Sequence, residues 1–171
     1  LTLLIPRVEI ETNADPVVIP VTVLLEPIVE SASNLTVEFD VHYLSGALNI
    51  TSVDGGTIID NRRDGNERII RVRLENVTLP IGELYTLTTL RGDYLLGGPD
   101  STYVRAANFT WSAPRELKTA RYIDGLVKLK NPGNIGKVST LKVTAYPNPA
   151  SEELEVTVTA GESGDYVLEL I

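Results

Sequence analysis

Acid–base chemistry in this 171-residue chain would have to start from His42, its one histidine. Glu38, Asp40 and His42 stand two residues apart, so an extended backbone puts all three on one face, where a carboxylate could orient an imidazole. The same register sends Leu35, Val37, Phe39, Val41 and Tyr43 to the opposite face. His42 therefore reads as a solvated surface side chain rather than a general base. A serine nucleophile needs a base beside it, and the chain has neither a Gly-x-Ser-x-Gly elbow nor a second histidine. Cysteine is absent, which removes disulfides, thiolate metal sites and a cysteine nucleophile. The acidic stretch Asp60–Glu67 has the density of a calcium loop but not its spacing. Arg62 stands where a third oxygen ligand is needed and Arg71 where the bidentate glutamate belongs, so Asp64-Gly65 reads as a hairpin turn. Acidic residues are abundant, yet nothing singles out a pair for glycoside hydrolysis. The chain offers no catalytic residues, no metal site and no cofactor site, and is read as a non-enzyme.

Binding is the alternative chemistry. Tyr94, Tyr103, Trp111 and Tyr122 are the candidates for an aromatic platform that stacks on sugar rings. The competing reading leaves them half-buried at strand ends, the common fate of Tyr and Trp. Asn34, Asn49, Asn76 and Asn108 each begin an Asn-x-Thr triplet, which threonine-rich strands also produce by chance. Asp100-Ser101-Thr102, on an expected loop, resembles the O-glycosylation motif of Bacteroidetes, with Ser101 as the acceptor.

Composition narrows the partners. A net charge of -8 argues against nucleic acid, which needs clustered Lys and Arg, and against an anionic membrane surface. No apolar run is long enough to insert in a bilayer, and no signal peptide opens the chain. With 43% hydrophobic residues and charges of both signs, the composition is that of a globular domain, and the length suits one well-filled domain plus a small appendage.

The elements that position these residues read as strands almost throughout. Val8 and Ile10 alternate with acidic residues. Val17 to Leu25 follows after a turn at Asn13–Pro16, and Pro20 suggests an edge position for it. Leu35 to Tyr43 is the cleanest alternation and is expected near the middle of a sheet. Leu48 to Ile50, Thr57 to Asp60, Ile70 to Leu74, Glu83 to Arg91, Tyr103 to Trp111 and Leu126 to Lys130 complete the set. Asn61 to Asn66 is expected as a polar loop and Gly92 as a break, and Ala113 to Ile123 is the one stretch with helical character. About nine short strands with almost no helix predict an all-β, antiparallel sandwich of jelly-roll or immunoglobulin type. Asn131-Pro132-Gly133-Asn134 marks its end. Beyond it, Leu141, Val143 and Ala145 alternate, Pro147 and Pro149 hold the chain extended, and Leu154, Val156 and Val158 alternate again: a short C-terminal β segment.

Two resemblances attach to these segments. Tyr146-Pro147-Asn148-Pro149-Ala150-Ser151, between those two alternating runs, resembles the opening of the C-terminal sorting domain of type IX secretion cargo in Bacteroidetes and their relatives. It implies export through the type IX machinery, with Tyr146, Pro147, Asn148 and Pro149 as the sorting motif. The family's domain continues to further strands and a basic terminus, so the signal looks halved and the chain a fragment. Val17–Val23, Leu35–Tyr43, Leu48–Val53 with Gly56, and Gly125-Leu126-Val127-Lys128-Leu129 together resemble a cohesin-like domain. Cohesins are jelly-roll sandwiches akin to carbohydrate-binding modules, and some bind dockerin. Here Leu44-Ser45-Gly46 replaces the Asp-Pro that usually follows the tyrosine.

The expected organisation is a cohesin-like sandwich over 1–130, a linker over 131–137, and a truncated sorting domain over 138–171. The expected role is a non-catalytic module of a larger secreted or surface-anchored protein, acting as spacer, adhesin or assembly surface. Its expected partners are the type IX machinery and a dockerin-like or other surface protein. The alternative is a carbohydrate-binding module for a polysaccharide-degrading enzyme.

Overall fold

The computed structural model describes residues 1–11, 16–27, 32–95, 98–112 and 120–130, together with the backbones of two strands at 142–146 and 155–159. The chain divides into two compact units, Leu1–Pro132 and Gly133–Ile171.

The first unit is an all-β sandwich with no helix among its described residues. Its strands are β1 (Thr2–Leu4), β2 (Arg7–Ile10), β3 (Val17–Leu24), β4 (Ala32–Leu44), β5 (Leu48–Val53), β6 (Gly56–Asp64), β7 (Glu67–Leu79), β8 (Leu84–Tyr94), β9 (Ser101–Trp111), β10 (Arg121–Ile123) and β11 (Gly125–Leu129). One sheet has the order β10-β1-β3-β8-β5, the other β2-β11-β9-β4-β7-β6. Alternation explains the packing. Val37, Phe39, Val41 and Tyr43 of β4, Ile70 and Val72 of β7, Ile19 and Val21 of β3 and Leu90 of β8 are buried between the sheets.

Termini close one flank. β1 lies in one sheet and β2 in the other, the switch falling at Ile5-Pro6; β10 and β11 switch likewise around Asp124. Each terminal strand pairs in parallel with its counterpart, β1 with β10 and β2 with β11, so the sandwich is not wholly antiparallel. Gly125 permits the crossing, because a Cβ there would press on the backbone of Ile5 and Pro6.

Several local expectations change. The short β1 and β10 break the helical and strand patterns read from sequence: Arg121–Ile123 is a strand, while 113–119 lie outside the described residues. β3 is internal rather than an edge, but β1 covers only Thr22–Leu24, so Pro20 sits where the missing N–H leaves no donor gap on that side. The expected loop Asn61–Asn66 shrinks to the two-residue turn Gly65-Asn66, with Gly65 at φ 56° and Asp64 facing Glu67 across the hairpin. Gly92 does not break β8; it lies inside the strand, where the β5 backbone at Asn49 and Ile50 comes too near for a Cβ. In the second unit, β12 (Lys142–Tyr146) and β13 (Glu155–Thr159) form an antiparallel pair from Lys142↔Thr159 to Tyr146↔Glu155.

Gly92→Ala is therefore expected to push β5 outward and destabilise the sandwich by about 1–3 kcal/mol, as overpacking does. Gly46→Ala, which meets open space, should be near neutral; equal urea midpoints for the two variants would refute this packing.

Candidate functional site

The outer face of the β9-β4-β7-β6 sheet gathers a set of charged side chains into one ladder. Register places Asp40 between Arg71 of β7 and Ala107 of β9, Glu38 beside Arg73, and His42 between Ile69 and Arg105. Arg71 donates from Nε to Glu38 Oε2 and from Nη1 to Asp40 Oδ1, both at 3.0 Å. Arg73 Nε donates to Glu38 Oε1 at 2.7 Å. On the edge strand, Arg62 reaches Asp60 at 2.6 Å and Asp40 at 3.4 Å. Glu67 takes a hydrogen bond from Arg105 and lies 3.4 Å from His42 Nδ1.

Asp40 is the centre of this network, with a side chain only 3% exposed. Its third donor is Asn108 Nδ2 at 2.8 Å. Asn108 reaches it because β9 bulges there: Glu38 faces Thr110 but Asp40 faces Ala107, and Asn108 takes φ 51°, a left-handed conformation that Asn tolerates better than most residues. Burial alone would push the Asp40 carboxyl up, but the hydrogen bonds from Asn108 and Arg71 and the charges of Arg71 and Arg62 outweigh it, leaving the group below the usual carboxylate range. Hydrogen bonding from Arg73, then from Arg71, lowers Glu38 likewise.

The same bulge geometry recurs in three of the four Asn-x-Thr triplets. Asn34 and Asn76 also have positive φ, 55° and 56°, and also sit at register shifts between β4 and β7. In each triplet the residue after the bulge asparagine returns toward the core, Leu35 and Phe109 being buried, and the threonine then faces outward. Asn49, within β5, has no such bulge conformation.

The sequence-derived candidates are not gathered in one place. Tyr103 projects from β9 on the ladder face, 66% exposed. Tyr94 closes the following loop by donating its hydroxyl to the Pro99 carbonyl, and burial, then the charge of Asp100, pushes that hydroxyl up to about 12. Tyr122 lies on β10, its hydroxyl accepting from the Phe109 N–H at 2.9 Å. Trp111 is half-buried, edge-on to Phe109 with ring centres 6.5 Å apart. Ser101 starts β9 rather than lying on a loop, while Thr102 beside it is buried, its hydroxyl accepting from the Leu44 N–H. Tyr146 ends β12; Pro147, Asn148 and Pro149 lie outside the described residues.

His42 departs from the solvated side chain expected of it. The imidazole is 20% exposed, and Nε2 is buried without a hydrogen-bond partner. Among the described residues, no three His, Asp or Glu side chains are gathered to hold a metal ion. The arginines and Asn108 were invisible as site residues from sequence, because pairing Arg71 with Asp40 requires the register of strands 31 positions apart. Arg71 and Arg73 alternating with buried Ile70, Val72 and Leu74 gave only their face.

Solved structures share this fold. A non-cellulosomal cohesin from Archaeoglobus fulgidus matches with a TM-score of 0.50 at 13% identity, over 75% of this chain and 90% of its own. The third ScaC cohesin of Acetivibrio cellulolyticus, solved in complex with the ScaB dockerin, matches with a TM-score of 0.52 at 14% identity, over 75% and 97%. The seventh ScaB type I cohesin of Pseudobacteroides cellulosolvens matches at 0.52 and 14%, over 75% and 91%. The sandwich thus has a cohesin-like fold. No protein-family profile and no curated protein sequence matches the chain.

Glu38 and Asp40 are both depressed in the folded state, so their contribution is complete above the unfolded carboxylate values near 4 and is lost as pH falls through the lower folded values. Thermal stability is expected to drop progressively from about pH 5 downward. Asp40→Asn should cost about 2 kcal/mol at pH 7 and flatten that acid limb. An unchanged limb would show that the ladder does not drive acid unfolding.

Proposed function

We propose that the chain is a non-catalytic protein-interaction module of a secreted or surface-anchored protein. The partner docks on the outer face of β9-β4-β7-β6. The observation that carries this reading is the ladder itself: charges fixed by mutual hydrogen bonds on rigid strands, with Arg62, Arg73 and Arg105 each nearly half exposed at its rim. Such a surface offers preordered donors and discriminates by charge matching. The cohesin-like fold, and the dockerin bound by one structural neighbour, support a dockerin-like or other surface protein as the partner. Loss of the usual Asp-Pro, replaced by Leu44-Ser45-Gly46, argues for a partner other than a standard dockerin. No serine elbow, second histidine or cysteine supplies a catalytic alternative.

Tyr103 supports a second reading, carbohydrate binding. One ring 66% exposed beside half-buried Leu126 is a stacking surface for a sugar, although the other aromatic candidates stand elsewhere.

The second unit we read as the opening of a type IX sorting domain over 138–171, carried by Tyr146-Pro147-Asn148-Pro149. Ser101 is the acceptor if the Asp100-Ser101-Thr102 motif is used, since the Thr102 hydroxyl is already engaged.

The immobilised full chain, presented with envelope and culture extract of its source, is expected to retain a specific protein. Retention should fall at least about tenfold in the Arg73→Glu/Arg105→Glu variant, because like-charge juxtaposition at an interface costs several kcal/mol, and persist in Leu84→Lys on the opposite face. Retention of a polysaccharide that Tyr103→Ala abolishes would install the second reading; retention indifferent to the charge reversal would sink the first. Replacing Pro147 and Pro149 by alanine in the native protein is expected to keep it from the cell surface and medium. Secretion at the normal level would exclude the sorting role.

A further inference from the structure

We propose that the outer face of the five-stranded sheet is a self-association surface on which a second copy of this chain packs face to face. The alternation that buries Leu3, Val21, Val23 and Leu90 sends Ile123, Leu4, Leu24 and Leu84 outward from four neighbouring strands, β10, β1, β3 and β8. Ile123 pairs with Leu4 and Leu24 with Leu84 in register, and Leu4 and Leu24 are diagonal neighbours through Thr22. The result is an apolar stripe across the sheet. Leu84 is 63% exposed, Ile123 46% and Val18, farther along β3, 41%. Single exposed apolar residues are ordinary, but a contiguous stripe over four strands is the pattern of an interface.

Charge selects the occupant. The chain carries a net charge of -8, but the charges on this face balance, so an oppositely charged partner is not drawn to it. Thr2, Thr22 and Thr86 separate the apolar residues of this face, Arg121 and Asp93 stand exposed on it with opposite charges, and Arg91, opposite Val18, is bound bidentately by Asp54 at 2.8 Å on both arms. A surface without net charge fits another of the same composition, and a copy of itself supplies one through a two-fold axis lying in the plane between the two sheets. Geometry permits it, since two twisted sheets pack face to face about 10 Å apart, as they do inside the sandwich.

Edge pairing is not the competing route. β6 carries a bulge at Ile59 and the guards Arg62 and Arg63, β5 carries one at Thr51, and β2 and β10 are 4 and 3 residues long. Area sets the strength. At ~4.8 by ~6.6 Å of sheet per outward residue, roughly fifteen outward positions cover about 500 Å² per copy, or about 1,000 Å² for the pair. That is the lower bound of specific interfaces, so the dimer is reversible and weak, micromolar or weaker.

Sedimentation velocity of the full chain from about 10 µM to about 1 mM tests this. A reversible monomer–dimer equilibrium is expected, tightening several-fold from about 0.05 to 0.5 M salt, because salt screens the repulsion of two acidic copies. Leu84→Lys should weaken it at least about tenfold, while Arg105→Glu on the opposite face changes it less than about two-fold. Leu84 is exposed enough that the lysine variant folds, which its circular dichroism checks. A monomer at every concentration would overturn the proposal. So would a dimer that survives Leu84→Lys and Leu84→Lys/Ile123→Lys alike, because its contact would then lie elsewhere, the Gly133–Ile171 unit included.

Discussion

Burial of one apolar layer between two sheets is the constraint on which the rest of the sandwich depends. The chain has no cysteine to brace it, so the fold rests on that layer and on the backbone ladders beside it. β4 contributes most visibly: Val37, Phe39, Val41 and Tyr43 are buried in strict alternation, and the strand is flanked on both sides by long partners, β7 and β9. At about 25 cal/mol per Å² of apolar surface, each fully buried side chain of this kind contributes about 1.5–3 kcal/mol. The polar ladder on the other side of β4 is a consequence of the same alternation. Residues that cannot face the core must face the same way as Glu38, Asp40 and His42.

A strand of thirteen residues cannot stay in strict register with two neighbours across a twisted sheet. Bulges absorb the mismatch, and three of them place an asparagine in the left-handed region, at 34, 76 and 108. Asn rather than Gly matters at 108. Glycine would accept the backbone conformation, but only a side-chain amide can also donate to Asp40 at 2.8 Å. One irregularity thus relieves register and satisfies a nearly buried carboxylate that would otherwise cost several kcal/mol.

Period-two alternation made the all-β class, the central position of β4 and the inward set Ile70, Val72 and Leu74 legible in the sequence. What it missed follows from non-local effects. β1 and β10 are too short to show periodicity and exist because the terminal strands cross between sheets and pair in parallel. β6 reads as a loop after Asp60 because an edge strand exposed on both faces shows no apolar alternation, burial there being exposed through Asn61–Asp64. Gly92 reads as a breaker, whereas its missing side chain admits the neighbouring strand. The ladder was half legible. Its central acids, Glu38 and Asp40, lie on one strand at visible spacing, but its arginines come from three others, and the aromatic candidates scatter because sequence carries no information on which end of the sandwich a strand terminus reaches.

The two outer faces answer different physical problems. On the six-stranded side, Asp40 and Glu38 are already satisfied within the molecule, so the proposed partner would gain little by pairing with them and would have to match the rim set by Arg62, Arg73 and Arg105. Preordered charges of this kind add modest affinity but strong discrimination, since a mismatched charge meets donors that cannot swing away. On the five-stranded side, Leu84 and Ile123 offer apolar area without direction, which favours contact but specifies little. A sandwich whose core consumes the inner faces of both sheets has only these two broad surfaces left. Charge order on one and apolar area on the other would keep the two proposed contacts, with a partner and with a second copy, from competing.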